Sequence, residues 1–90
     1  MLRITANHEN DKVLRLRLDG TLNPESFGDL EKICREQGDE IQLVILDLAG
    51  VNFMNEEAAR MVIGLKGKLV RIVNCSPFIA ALLESIERAN

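Results

Sequence analysis

The stretch "IQLVILDLAG", Ile41 to Gly50, decides the architecture. Leu43 through Leu46 are continuously apolar and rich in branched side chains, which predicts a strand covered on both faces, as in a parallel sheet. Downstream, "NEEAARMVIGLKG" (55–67) reads as a short helix with Ala58, Met61, Val62 and Leu65 on one side, and "KLVRIVN" (68–74) as another strand. Together they make a βαβ unit that crosses over right-handed, with the strands near 41–48 and 68–74 adjacent. "SPFIAALLESIERAN" (76–90) then predicts a last helix, with Ser76 as N-cap, Pro77 at the first helical position, and Ile79, Leu82, Leu83 and Ile86 as its stripe.

Upstream the pattern changes. "KVLRLRLDG" (12–20) alternates strictly, Leu14, Leu16 and Leu18 one way and Arg15 and Arg17 the other, so this strand has one wet face. "LRIT" (2–5) is expected to pair with it antiparallel through the polar turn "ANHEND" (6–11). "NPESFGDLEKICREQG" (23–38) predicts a helix capped by Asn23, with Pro24 and the acidic Glu25 in its first turn. Phe27, Leu30, Ile33 and Cys34 form its buried stripe, and Gly38 ends it. The order is β-β-α-β-α-β-α. The expected fold class is α/β, a mixed β-sheet with helices packed on it, in a single domain over 1–90.

Composition narrows the function. Ninety residues make one domain, and 47% hydrophobic residues make it a globular one. A formal net charge of -3, with three Phe and no Tyr or Trp, argues against nucleic acid, which asks for a basic footprint and stacking platforms. "MLRITANHEN" has no apolar core of a signal peptide, and no apolar run is long enough to span a bilayer, so direct membrane insertion is not expected. Cys34 and Cys75 form no CxxC pair; reduced thiols in the cytoplasm are the simplest reading.

At this point the residues resemble a family. "LDGTLN", "LVILDLAGVNFMNEEAA" and "LVRIVNCSPFIAALLESI" together look like the STAS domain, named for sulphate transporters and anti-sigma-factor antagonists. The resemblance covers nearly the whole chain. It is most specific at "LDLAGVNFM" (Leu46–Met54) and at the "SP" opening the last helix. It implies a bacterial regulatory module that binds protein. Where the family carries Gly-x-Leu-Asp after its second strand, this chain has Gly20, Thr21, Leu22 and Asn23. Where the family carries Asp-Ser-Ser/Thr-Gly at its second helix, this chain has Asn55, Glu56, Glu57 and Ala58. In bacterial antagonists of this type the second hydroxyl is phosphorylated by an anti-sigma kinase, which breaks the complex; the matching position is Glu57.

The departures fall on that switch. No Ser or Thr occupies 55–58, and both positions that are usually Asp, 23 and 55, are Asn. A fixed charge at Glu57 would repel nearby carboxylates, whereas amides relieve this and still serve as caps. The segment from Glu57 to Leu69 is shorter than the family norm by about two helical turns. The chain also stops at Asn90, where the family usually adds a strand and a helix. An exposed edge near 68–74 is therefore expected, and with it self-association as a two-fold homodimer.

Each candidate residue has an ordinary reading beside its sharp one. Glu56 and Glu57 are acids at a helix start, which the dipole favours; the sharper alternative is a phosphomimetic at Glu57, a poor copy of a group with nearly two charges. The helix-start reading is preferred. A catalytic pair fits worse than either, because neighbouring helical residues point about 100° apart and no base or nucleophile stands nearby in sequence. His8, the lone histidine, is expected to be solvated, so no zinc site is expected. Cys75 precedes a helix whose dipole lowers thiol pKa values, but such a residue is more often a small buried hydrophobe. Arg60, Lys66, Lys68 and Arg71 read as a solvated basic run. Phe53 and Met54 are either exposed anchors or the covered end of a strand.

No phosphate-binding glycine motif or nucleophile elbow occurs, and no cofactor or catalytic residue is expected. The reading is a non-enzymatic interaction module resembling anti-sigma-factor antagonists. Its degenerate phosphorylation loop and partner surface comprise Asn23, Phe53, Met54, Asn55, Glu56, Glu57 and Ala58, and its partner is a kinase-like anti-sigma factor. The alternative is a structural STAS-like subunit bound to a transporter ATPase on the cytoplasmic side of a membrane.

Overall fold

The strict alternation after Lys12 folds as it reads. In the computed structural model, which describes residues 1–65 and 69–89, β2 (Val13–Leu22) buries Leu14, Leu16, Leu18 and Leu22 completely. It pairs antiparallel with β1 (Leu2–Asn10) and parallel with β3 (Leu43–Met54); β3 pairs parallel with β4 (Val70–Val73). The sheet order is β1-β2-β3-β4, so β1 and β4 are its edges. Helices α1 (Pro24–Arg35), α2 (Glu56–Leu65) and α3 (Pro77–Ala89) complete the order β-β-α-β-α-β-α.

One face of the sheet carries the core. Val44, Leu46, Leu48, Val51 and Met54 of β3 join the β2 leucines, and Phe27, Leu30, Ala58, Ala59, Val62, Ile79, Leu83 and Ile86 of the three helices complete the same cluster. Burying one such leucine is worth about 1.5–3 kcal/mol, so this single cluster is what holds helices to sheet.

The other face stays open, which corrects the expectation that β3 is covered on both faces. Leu43 and Ile45 point away from the helices and are only half-buried. In the register Ile45 lies between Arg15 and Arg71, and arginine stems can shield an apolar neighbour while their heads stay in water. A run of branched residues therefore does not by itself demand a second helical layer.

Three boundaries also differ from the sequence reading. The expected turn at 6–11 is mostly strand: β1 continues to Asn10 because β2 offers ladder partners as far as Val13, and an exposed edge strand tolerates polar side chains on both faces. Asn10 Oδ1 then closes the hairpin by accepting from the Lys12 and Val13 amides at 2.8 and 3.0 Å. Helix α1 stops at Arg35, short of Gly38; Glu36 is its C-cap, and the Gln37 amide donates to the Ile33 carbonyl at 2.8 Å, doing by side chain what a glycine cap does by backbone. The strand expected over 68–74 is Val70–Val73, with Asn74 in the left-handed region at φ 59°. Lys66, Gly67, Lys68 and Asn90, included in the expected elements, lie outside the described residues.

Candidate functional site

Strands β2, β3 and β4 run parallel, and each is followed by a helix. β2 and β3 end side by side, with Leu22 paired to Met54, so α1 and α2 begin at the same end of the sheet, whereas β4 stops beside Asp47 and α3 begins further back. In open α/β sheets the ends of parallel strands are where ligands and partners are met. Here that end gathers Asn23 and the residues 53–58.

Each helix start is capped by the residue its sequence offers. Asn23 Oδ1 accepts from the Ser26 amide at 2.9 Å, while Ser26 Oγ accepts from the Asn23 amide at 3.1 Å, a reciprocal capping box. Asn55 Oδ1 accepts from the Ala58 amide at 2.8 Å, and Ser76 Oγ from the Ile79 amide at 3.2 Å. Thr21 Oγ1 donates to Asn52 Oδ1 at 3.3 Å, tying the end of β2 to the end of β3. Behind this, Gly20 sits at φ 110° with the Met1 carbonyl oxygen only 2.2 Å from where a Cβ would stand, a position that excludes any side chain.

The predicted loop divides by burial. Phe53 is 48% exposed, whereas its neighbour Met54 is 1% exposed and belongs to the core, so of the two only Phe53 is an outward anchor. Ala58 is buried against the sheet. Asn23 and Asn55 are half-buried, with their amides engaged as caps. Glu56 and Glu57 are both exposed, in the first turn of α2. Glu56 pairs with Arg60 one turn on. Glu57 makes no hydrogen bond or ion pair with another described residue, so its charge faces water. Among the described residues the two glutamates share no partner.

The remaining candidates scatter. His8 is exposed, on β1 and not in a turn. Cys34 and Cys75 are half-buried and form no disulfide; burial, then the charge of Glu31, pushes the Cys34 thiol up, toward the protonated form. Of the expected basic run, Arg60 is paired with Glu56 and Arg71 stands on the open sheet face. Among the described residues no cluster of three or more His, Cys, Asp or Glu could hold a metal ion, and no helix is long and apolar enough to cross a membrane. A cleft of about 630 Å³ lies between α1 and α2, lined by Phe27, Cys34, Ile41, Met61 and Leu65. Glu31 and Arg35 at its rim are an ion pair one helical turn apart, at 3.2 Å.

Sequence reasoning missed the one charged residue that is buried among the described residues. Asp47, 6% exposed, lies on the open face of β3. Its Oδ2 accepts from Arg15 Nη2 at 2.9 Å and Nε at 3.3 Å; its Oδ1 accepts from the Ala49 amide at 3.0 Å and from the Asn74 side-chain amide at 3.1 Å. Arg15 also donates to Glu9 at 3.0 Å. The chain Glu9–Arg15–Asp47–Asn74 thus runs across the open face from β1 to the connection after β4. Burial works to raise the Asp47 pKa, but the bonds from Ala49, Arg15 and Asn74 outweigh it and hold the carboxyl below its ordinary range. The signal was present: an acid within an apolar run, on the face where the neighbouring strand carries arginines.

This architecture is that of the STAS-like, SpoIIAA-like domains. The chain superposes on the anti-sigma factor antagonist SpoIIAA in its unphosphorylated form with a TM-score of 0.75, at 17% identity, covering 94% of this chain and 81% of that one. An uncharacterised DUF3478-family protein with a SpoIIAA-like fold from Shewanella loihica matches with a TM-score of 0.57 at 18% identity, over 99% and 79% of the two chains. An antisigma-factor antagonist STAS domain from Rhodobacter sphaeroides matches with 0.51 at 18% identity, over 81% and 86%. No family model matches the sequence, and no curated protein does. At these identities the likeness is one of fold.

Proposed function

We propose that this chain is a non-enzymatic protein-interaction module of the anti-sigma-factor-antagonist type, acting in the cytoplasm, with its contact surface at the end of the sheet where α1 and α2 begin. The observation that carries this reading is Phe53. A half-exposed aromatic ring beside a capped helix start is the kind of side chain that interfaces use as an anchor. Around it lie the outward carboxylates of Glu56 and Glu57 and the half-buried amides of Asn23 and Asn55. The partner is a kinase-like anti-sigma factor. The contact is not switched by phosphorylation of this loop, since Asn55, Glu56, Glu57 and Ala58 have no hydroxyl to modify.

The open edge at β4 is proposed to pair with a second copy about a two-fold axis, because four residues of unpaired ladder stand at the edge of the sheet. Sedimentation of the intact chain tests this: a concentration-dependent dimer is expected, and monomer alone at high concentration contradicts it.

For the module itself, affinity capture with the intact chain followed by incubation with the captured protein and ATP is the experiment. A stable complex with an anti-sigma-type protein, and no label on the peptide carrying residues 55–58, is the expected result. Recovery of a transporter ATPase instead supports the structural-subunit alternative, and label on 55–58 contradicts the unswitched reading.

A further inference from the structure

We infer that Asp47 is a positioning residue, a latch on the open face of the sheet that fixes the start of α3 and with it the exposed ring of Phe78. Three observations lead there. First, β4 is short, and Val73, its last residue, pairs with Asp47 halfway along β3, so the chain leaves the sheet there. Second, the next residue, Asn74, turns in the left-handed region at φ 59°, and its side chain is bonded back to Asp47 Oδ1 at 3.1 Å. Third, the helix cap follows at once: the Ile79 amide donates to Ser76 Oγ at 3.2 Å and the Ala80 amide to the Ser76 carbonyl at 2.8 Å. Only Cys75 stands between the latched residue and the cap. Phe78, in the first turn, is 58% exposed.

Asn74 has two separable qualities. Asparagine tolerates the left-handed region better than most residues, and its amide can donate. If backbone geometry alone mattered, glycine would serve as well. The carboxylate of Asp47 is in turn held by Arg15, which Glu9 holds from β1, so the latch is anchored across β1, β2 and β3. The inference concerns the free chain and stands apart from the proposed partner.

Hydrogen exchange of the intact chain tests it, in the wild type, Asn74→Gly, Asp47→Asn and the double variant. Asn74→Gly keeps the backbone turn and loses the bond. The expected result for Asn74→Gly is at least about tenfold faster exchange at the Ile79 and Ala80 amides, with Leu16 and Leu46 unchanged. Adding Asp47→Asn should accelerate Ile79 and Ala80 no more than it accelerates Leu16 and Leu46, since the Asp47–Asn74 bond is already lost. Wild-type exchange in Asn74→Gly would overturn the inference, because the asparagine would then serve only its backbone. So would acceleration in Asn74→Gly spread evenly over the sheet, or effects of the two substitutions at Ile79 and Ala80 that add beyond any change common to the sheet, because either would show general stability and no latch.

Discussion

The carboxylate of Asp47 and the side-chain amide of Asn74 meet at 3.1 Å on the face of the sheet that carries no helix. With Arg15 and the Ala49 amide they keep Asp47 ionised although it is nearly buried. The folded-state pKa of Asp47 is lowered, so its ionisation contributes stability that is present above the unfolded pKa, about 3.9, and is lost as pH falls through the folded pKa. In that window the unfolded chain binds more protons than the folded one. Thermal melts between pH 6 and pH 2 should therefore show the melting temperature falling at the acid end. Asp47→Asn should melt lower at neutral pH and show a shallower acid slope. An identical slope in the variant would mean that other carboxylates carry the acid sensitivity.

The helix starts give a second expectation. Asn55 is a true cap, so Asn55→Ala should cost about 1 kcal/mol, whereas Glu57→Gln, which removes only a favourable charge from an exposed first turn, should cost a few tenths of a kcal/mol. Denaturant unfolding of the two variants checks the ranking; a reversed order would show that Glu57 has structural work beyond the dipole.

Gly20 gives a third. A side chain at φ 110°, facing the Met1 carbonyl at 2.2 Å, must shift the backbone of β1 or of the β2 end. Gly20→Ala should cost roughly 1–3 kcal/mol, far more than the same change at Gly28, whose added Cβ meets nothing within 4 Å. Equal melting temperatures for the two variants would contradict this.

How much of this was legible depended on whether the cause was local. The alternation Leu14–Arg15–Leu16–Arg17–Leu18 and the cap pairs Asn23–Pro24 and Ser76–Pro77 state their structure in adjacent residues, and they fold as read. The run Leu43–Leu46 does not reveal how many faces are covered, because that depends on whether α1, α2 and α3 all settle on one side. The polar run after Thr5 looked like a turn because an edge strand needs no apolar face; its pairing is imposed by β2. At the candidate site, which residues look outward was undecided for Phe53 and Met54, since irregularities in the β2–β3 register, near Asp19 and again near Thr21, change which side each later residue faces. The Asp47–Asn74 bond joins residues 27 apart and had no local signature.

The fixed charge at Glu57 makes a fourth prediction. Its carboxylate has no partner among the described residues, and the proposed reading is that it serves helix-start chemistry alone. Glu57→Ser should then leave affinity for the captured partner within about twofold and lower the melting point slightly. Tightening of about tenfold, near 1.4 kcal/mol and the scale of one charge-assisted contact, would instead mark Glu57 as a phosphate mimic that weakens the complex.

The central claim is that the strand ends around Phe53 meet the partner, and Phe53→Ala tests it most directly. The ring is half exposed, so its removal should leave the melting curve nearly unchanged. Titration of the captured partner against wild type and Phe53→Ala should show affinity falling by about tenfold or more, the behaviour of an aromatic anchor at an interface. Equal affinities, with both chains folded, would contradict the account and move the contact surface elsewhere on the molecule.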